Sequence, residues 1–235
     1  MIASYAKKVR SVLTRAEAKI FRTLSSPRKI QDFLDTLAIN MELGARTYMS
    51  PRRVLQARKA HCLEGALLAA AAYAFHGGRP MLLDFQAAYD DEDHVVALFR
   101  QNRHWGAISK TNHPGLRYRD PIHRSTHSLA ASYFHEYYLW DGRKSLRSFS
   151  KPFDLSRYAP ESWITAEQEL DWLVHALDAS THVPIVPRGN LPGLRPATAF
   201  EIRASSAVEW LKDGRRSPEG LWKNPRTIGK PRKSV

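Results

Sequence analysis

The stretch from His61 to His76 constrains the chain most, because alanine fills positions 66, 69, 70, 71, 72 and 74. Alanine is the strongest helix former, and the run stops at Gly77-Gly78, as a helix C-terminus should. So little side-chain bulk on a buried helix requires neighbours that approach its backbone closely. Any fold for this chain must supply them.

The surrounding pattern names those neighbours. A first helix is expected over Thr14 to Leu24. A second starts at Ser26 as N-cap with Pro27 at the first helical position, and places Ile30, Phe33, Leu34 and Leu37 on one face. Ser50-Pro51 repeats the start signal for a short helix carrying Val54 and Leu55. After Pro80 the period changes to two. Met81 to Ala87, His94 to Arg100 and Trp105 to Ser109 read as strands, with the acidic run 90–93 as a loop and Gln101 to His104 as a turn. Leu116 to Arg119 reads as one more short strand, and Ser145 to Phe149 as an edge strand. Helix returns over Thr126 to Trp140. Thr165 is expected to cap an amphipathic helix with Leu170, Leu173, Val174 and Leu177 on its apolar face. Helices, then an antiparallel meander, then helices again define an α+β fold rather than a doubly wound parallel sheet. The expected division is a basic helical segment 1–49, a core 50–181, a linker and C-terminal helix 182–211, and a disordered basic tail 212–235.

Charge is confined to the ends. The chain of 235 residues carries a net charge of +13, and residues 1–30 and 212–235 together hold all of that excess. A folded nucleic-acid-binding domain places its basic patch on the body; here the termini are expected to make only weak, salt-sensitive contact with polyanions. No run reaches the roughly 18 to 20 apolar residues of a membrane helix, so no membrane partner is expected. The single cysteine excludes an internal disulfide, and a cytoplasmic protein is expected. There is no glycine-rich phosphate loop. His123 and His127 are four apart, but no glutamate lies between them and no third ligand declares itself, so neither a metal nor another cofactor is expected.

That cysteine, Cys62, falls in the first turn of the alanine-rich helix. The helix dipole there favours thiolate, the reactive form. His94 opens a strand about thirty residues later, and a thiol facing an imidazole is an arrangement for nucleophilic catalysis. The run from Val54 to Leu68, with Cys62 followed by small and aliphatic residues and closed by Gly77-Gly78-Arg79-Pro80, resembles the nucleophile helix of transglutaminase-like proteins. The next strand, then His94, then Trp105 starting the strand after, follow the same order over residues 50–121. The resemblance implies a transglutaminase-like (papain-like) core, with the nucleophile helix packed on an antiparallel sheet and additional C-terminal helices. It also implies a Cys62–His94 pair acting on amide bonds of a peptide or amide-bearing substrate.

The resemblance further implies an acidic residue four after Trp105 to orient the imidazole, and that position holds Ser109. A hairpin turning around Asn102 sets His94 opposite residues 109–110. Asn112 is the first choice for the orienting group, since an amide does this work in papain-like enzymes; Ser109 comes second and Asp120 third. Gln56, six before Cys62, sits at the offset of an oxyanion-hole donor in the papain-like pattern, and His61 is a further candidate to line the site. The expected activity is thiol-dependent acyl transfer by a cysteine peptidase, amidase or transglutaminase-like enzyme. The rivals are a binding module that keeps the fold without the chemistry, and a nucleic-acid-associated protein acting through its basic termini.

Overall fold

The computed structural model describes residues 2–41 and 46–205, so the expected basic tail 212–235 lies outside the described residues. Three helices come first: α1 (Ile2–Val12), α2 (Arg15–Thr23) and α3 (Pro27–Asp35). Thr14 and Glu17 form a reciprocal capping box on α2, and Ser26 accepts from Lys29 N at 3.3 Å to cap α3. A short β1 (Ala38–Ile39) precedes α4 (Pro51–Ala57). At Arg58 the chain enters the left-handed region, φ 55°, and turns into β2 (Lys59–Ala60), which pairs in parallel with β1. The alanine-rich helix follows as α5 (Cys62–Phe75).

The antiparallel meander comes next: β3 (Met81–Ala87), β4 (His94–Gln101), β5 (His104–Ile108) and β6 (Arg119–His123). The β4–β5 connection is a two-residue turn with φ of 48° at Asn102 and 67° at Arg103, the positive pair that matches strand twist in a tight hairpin. Then come α6 (Thr126–Phe134), β7 (Leu146–Ser150), β8 (Phe153–Asp154), α7 (Pro160–Ile164), α8 (Asp171–Asp178), β9 (His182–Pro184) and α9 (Ala199–Ser205). The main sheet runs β6-β5-β4-β3-β7-β9, and β8 also pairs with β3.

The sheet divides two cores by its pleat. Leu82, Val95, Ala97, Phe99 and Ile108 face α5 together with Val9, Phe21, Ile30 and Leu34 from α1 to α3. Leu83, Phe85, Val96, Leu98 and Ala107 face α6 through Leu129, Ala130 and Tyr133. Alternation of single residues between the two faces is what a period of two dictates. The alanines of α5 at 66, 69, 70, 71, 72 and 74 are all buried, which allows α1, α3 and α4 to pack close to its backbone. Leu67 and Leu68 are fully buried beside them, each contributing about 1.5–3 kcal/mol of burial.

Several expectations change. The helix expected from Thr126 to Trp140 stops at Phe134, and Tyr138 bridges to Lys144 instead. Thr165 ends α7 rather than starting a helix; Pro160 starts that one, and α8 is capped from Leu170. The strand expected at the edge, β7, is interior, because residues 182–184, expected as linker, pair outside it as β9. The short strand expected over Leu116 to Arg119 begins only at Arg119, since Pro114 to Leu116 close a single helical turn. Of these, the pairing of β9 outside β7 and the bridge from Tyr138 to Lys144 are tertiary contacts that local propensity does not encode. Among the described residues no helix is long and apolar enough to cross a membrane.

Candidate active site

Cys62 is the first residue of α5, with His61 as its N-cap in extended backbone, φ −92° and ψ −173°. His61 offers no short hydroxyl or carboxylate cap. The cap instead comes from three residues on, where Glu64 Oε2 accepts from His61 N at 3.0 Å. Glu64 is fully buried, and its two oxygens also take Asn40 Nδ2 at 3.0 Å, Thr47 Oγ1 at 2.8 Å and Met49 N at 3.0 Å. One carboxylate therefore fixes both the start of α5 and the chain on either side of residues 42–45.

Closeness of α5 to the end of β5 is set by Gly65. A Cβ at that position would stand 2.3 Å from Lys110 Cβ, so only glycine lets the first turn come down onto the strand. Lys110 is itself buried, its Nζ donating to carbonyls at and just beyond the end of α3, Leu34 O at 3.0 Å and Leu37 O at 2.7 Å. One residue earlier, Gln31 of α3 clamps the backbone of Ser109 in both directions, accepting from its N–H and donating to its carbonyl, each at 2.9 Å. Gln31, Lys110, Glu64 and Asn40 carried no signal as site-builders in the sequence, because each acts on groups distant along the chain.

His94 is buried at the start of β4 and stacks on Phe85, ring centroids 6.3 Å apart and planes 7° from parallel. Its Nε2 lies 2.9 Å from Ser109 Oγ. Ser109 Oγ in turn donates its only hydrogen to Leu116 O at 2.7 Å. With that hydrogen spent, Ser109 must accept from His94, so Nε2 carries the proton and Nδ1 is left for the thiol. The register differs from the expected one. Ala97 pairs with Ile108 and Gln101 with His104, which puts Ser109 diagonal to His94 rather than opposite it. Diagonal neighbours on one face still meet. Ser109 thus takes the orienting place for which Asn112 was preferred, and Asn112 lies in a bend beyond the strand. Asp120 lies within β6 and is exposed.

Cys62 is a partly exposed residue, and its thiol is hydrogen-bonded by both His61 and His94. Burial pushes the thiol up, but the two imidazoles outweigh it and bring it from 9.0 to about 6. Burial likewise pushes His61 down, and its bond to the thiol, the nearby charges of Cys62 and Glu64, and the Thr47 carbonyl outweigh that and raise it to about 9. His61 Nε2 lies 2.7 Å from Thr47 O and 3.4 Å from Glu64 Oε1. His113 approaches His94 from the β5–β6 loop, and burial, aided by that neighbour, lowers it to about 4. Gln56 is exposed on α4, on the far side of the left-handed turn at Arg58, and that turn separates it from the chain that delivers the thiol. Two surface hollows, one lined by Leu24, Pro27 and Tyr73 and one by Phe134, Lys144 and Glu201, include none of these residues.

His123 and His127 do not share a helix face. His123 is on β6 with Nδ1 at 3.1 Å from Ser128 Oγ, while His127 on α6 packs against Phe149. The arrangement around Cys62 holds a nucleophile, a base with a fixed tautomer, and a second imidazole; chemically it can activate a thiol and move one proton. No protein-family model matches the sequence, and no curated protein does.

Proposed function

We propose that this protein is a thiol-dependent acyl-transfer enzyme acting on an amide bond, with Cys62 as nucleophile and His94 as the acid and base. The observation that carries the reading is the thiol of a partly exposed residue at the first position of α5, hydrogen-bonded by two imidazoles. Such a thiol is largely thiolate at neutral pH. Nδ1 of His94 takes the thiol proton, and the sulfur attacks the carbonyl carbon. The oxyanion forms among the unsatisfied N–H groups of the first turn of α5, with the helix dipole behind them. The C–N bond then breaks as His94 returns its proton to the leaving nitrogen. Water, or an amine, repeats the sequence in reverse on the thioester and frees the sulfur. Ser109 holds the ring so that Nδ1 stays aimed at the thiol. The order of nucleophile helix, strand, histidine strand and tryptophan strand supports a transglutaminase-like or cysteine-peptidase chemistry.

One observation favours the rival binding-module reading: the group on Nε2 is a neutral hydroxyl, which orients an imidazole but does not stabilise its charge as a carboxylate does. The two are separated by incubating the protein with peptidyl and glutaminyl amides, with and without a primary amine, and following released amine and the Cys62 acyl adduct by mass spectrometry. Turnover or a trapped thioester, lost in Cys62→Ala, is expected. Neither product across a broad amide panel, from a protein whose thiol still alkylates, would make the binding module the better reading.

A further inference from the structure

The thiol meets two histidines whose other partners differ. His94 is backed by Ser109, a hydroxyl that has already donated its hydrogen to Leu116 O. Its chain of partners ends on a neutral carbonyl, so nothing along it carries charge. His61 is backed by Thr47 O at 2.7 Å, and a carbonyl oxygen only accepts, so Nε2 of His61 carries a proton. Glu64 Oε1 is 3.4 Å from the same nitrogen, and that carboxylate is fully buried. A second carboxylate, Glu169, lies within electrostatic reach of His61 while paired to Arg53 at 2.7 Å. Tyr48, whose N–H bonds Glu169, packs its ring edge-on to His61 with centroids 6.2 Å apart. Other titratable groups near the thiol are His94, His113 beside it, and Tyr137, which feels the charges of Asp91, Asp93 and Asp84 as well as that of Cys62. Negative charge therefore stands against His61 itself, whereas the hydrogen-bonded chain behind His94 Nε2 ends on neutral groups.

Resting on the acyl-transfer reading, we propose that the two imidazoles divide the work: His61 is a standing imidazolium that holds Cys62 as thiolate, and His94 alone carries the proton that moves. His61 keeps both of its protons through the cycle, one on Thr47 O and one toward the sulfur. The moving proton, given up by Cys62, is held on Nδ1 of His94, passes to the leaving nitrogen, and is replaced from the attacking water or amine. Atoms and charge balance without any contribution from His61 beyond its field. The raised His61 agrees with this division, and the lowered thiol draws on both imidazoles. Glu64 is then a positioning residue for His61. The carboxylate that such sites place behind the base stands here behind the other histidine.

The test is the pH profile of Cys62 alkylation by iodoacetamide, read without any substrate. His61→Gln should move the midpoint upward by about two pKa units, from about 6 to about 8, and so slow the reaction at pH 7 about tenfold. His61→Lys, which restores a charge at that place, should recover most of the lost rate. His94→Gln should move the midpoint less than His61→Gln does while removing turnover. Should His61→Gln not fold, ¹⁵N shifts of the unmodified protein decide: His61 should show both ring nitrogens protonated at pH 7.5. A His61→Gln profile superimposed on the parent, a midpoint moved only by His94→Gln, or a singly protonated His61 at pH 7.5 overturns the division. Because alkylation needs no substrate, a protein with no amide turnover would still report on His61, so the two readings fail separately.

Discussion

Among the described residues, two places set an imidazole against a buried carboxylate, and one of them holds a thiol. At the start of α5, Glu64 lies 3.4 Å from His61; between β3 and β9, Asp84 Oδ2 lies 3.0 Å from His182 Nε2. The second pair is closer and nearly as buried. Yet Asp84 and His182 are spent on each other and on the sheet: Asp84 N–H donates to Ser150 Oγ at 2.9 Å, and His182 Nδ1 faces Ser180 O at 2.8 Å. They lock β9 to β3 across β7. Burial raises the Asp84 carboxyl and the contact with His182 only partly offsets it; in His182, burial lowers the ring and the carboxylate outweighs it. Both groups bind protons more readily in the fold than when free. The Glu64 carboxylate is held differently, by donors from two loops and a helix start, and the histidine beside it turns to the sulfur of a partly exposed residue. A carboxylate–histidine contact is therefore no mark of a site; what distinguishes the first is an accessible nucleophile at a helix N-terminus.

The comparison can be broken most directly at the nucleophile. Cys62→Ala should abolish labelling by iodoacetamide and any amide turnover, whereas His182→Ala should leave labelling at the parent rate. If His182→Ala slows labelling as much as a substitution at His61, the two pairs are not functionally distinct.

A second test concerns what each carboxylate holds. Glu64→Ala leaves several buried donors without an acceptor and should cost roughly 3–5 kcal/mol in denaturant unfolding. Asp84→Ala should cost less, about 1–3 kcal/mol, and leave labelling unchanged. The reverse ranking would show that the strand pair, and not the helix start, is the better-connected element.

The orienting group gives a smaller effect. Ser109→Ala should lower turnover roughly tenfold or more through loss of ring orientation, while Asn112→Ala should stay near the parent. Equal losses would return the orienting place to the loop.

The smallest effect is the pH dependence of the strand pair. His182 is raised in the fold, so its contribution to stability is complete below the unfolded value of about 6.5 and is lost as pH rises through the folded one. The raised carboxyl of Asp84 acts with the same sign. The stability difference between the parent and His182→Gln should therefore be larger at pH 5.5 than at pH 8.5, and a difference that grows with pH would contradict a raised His182.

Much of the scaffold is legible from neighbours in the chain. Thr14, Ser26 and Ser50 announce three helix starts, and each accepts the N–H three residues on. The strands at Met81, His94 and His104 follow from alternation. Helix α1 is less legible, since its apolar and basic residues alternate without a start signal, and only packing of Tyr5 and Val9 against the core defines it. The same limit explains Thr165: its capping chemistry is real, but Pro160 and the buried Trp163 place a helix before it rather than after.

The chain alone determined that Cys62 begins a buried helix and that His94 begins a strand, because caps and periods are properties of residues three or four apart. Only the tertiary structure decided which groups surround them. Ser109 reaches His94 because Gln31, 78 positions away, clamps its backbone, and Glu64 is held by Asn40 from 24 positions away. Such contacts carry no local signature: a glutamine or a glutamate on a helix reads as a solvated residue until the fold removes the water around it and leaves its hydrogen-bonding groups to be satisfied by distant parts of the chain.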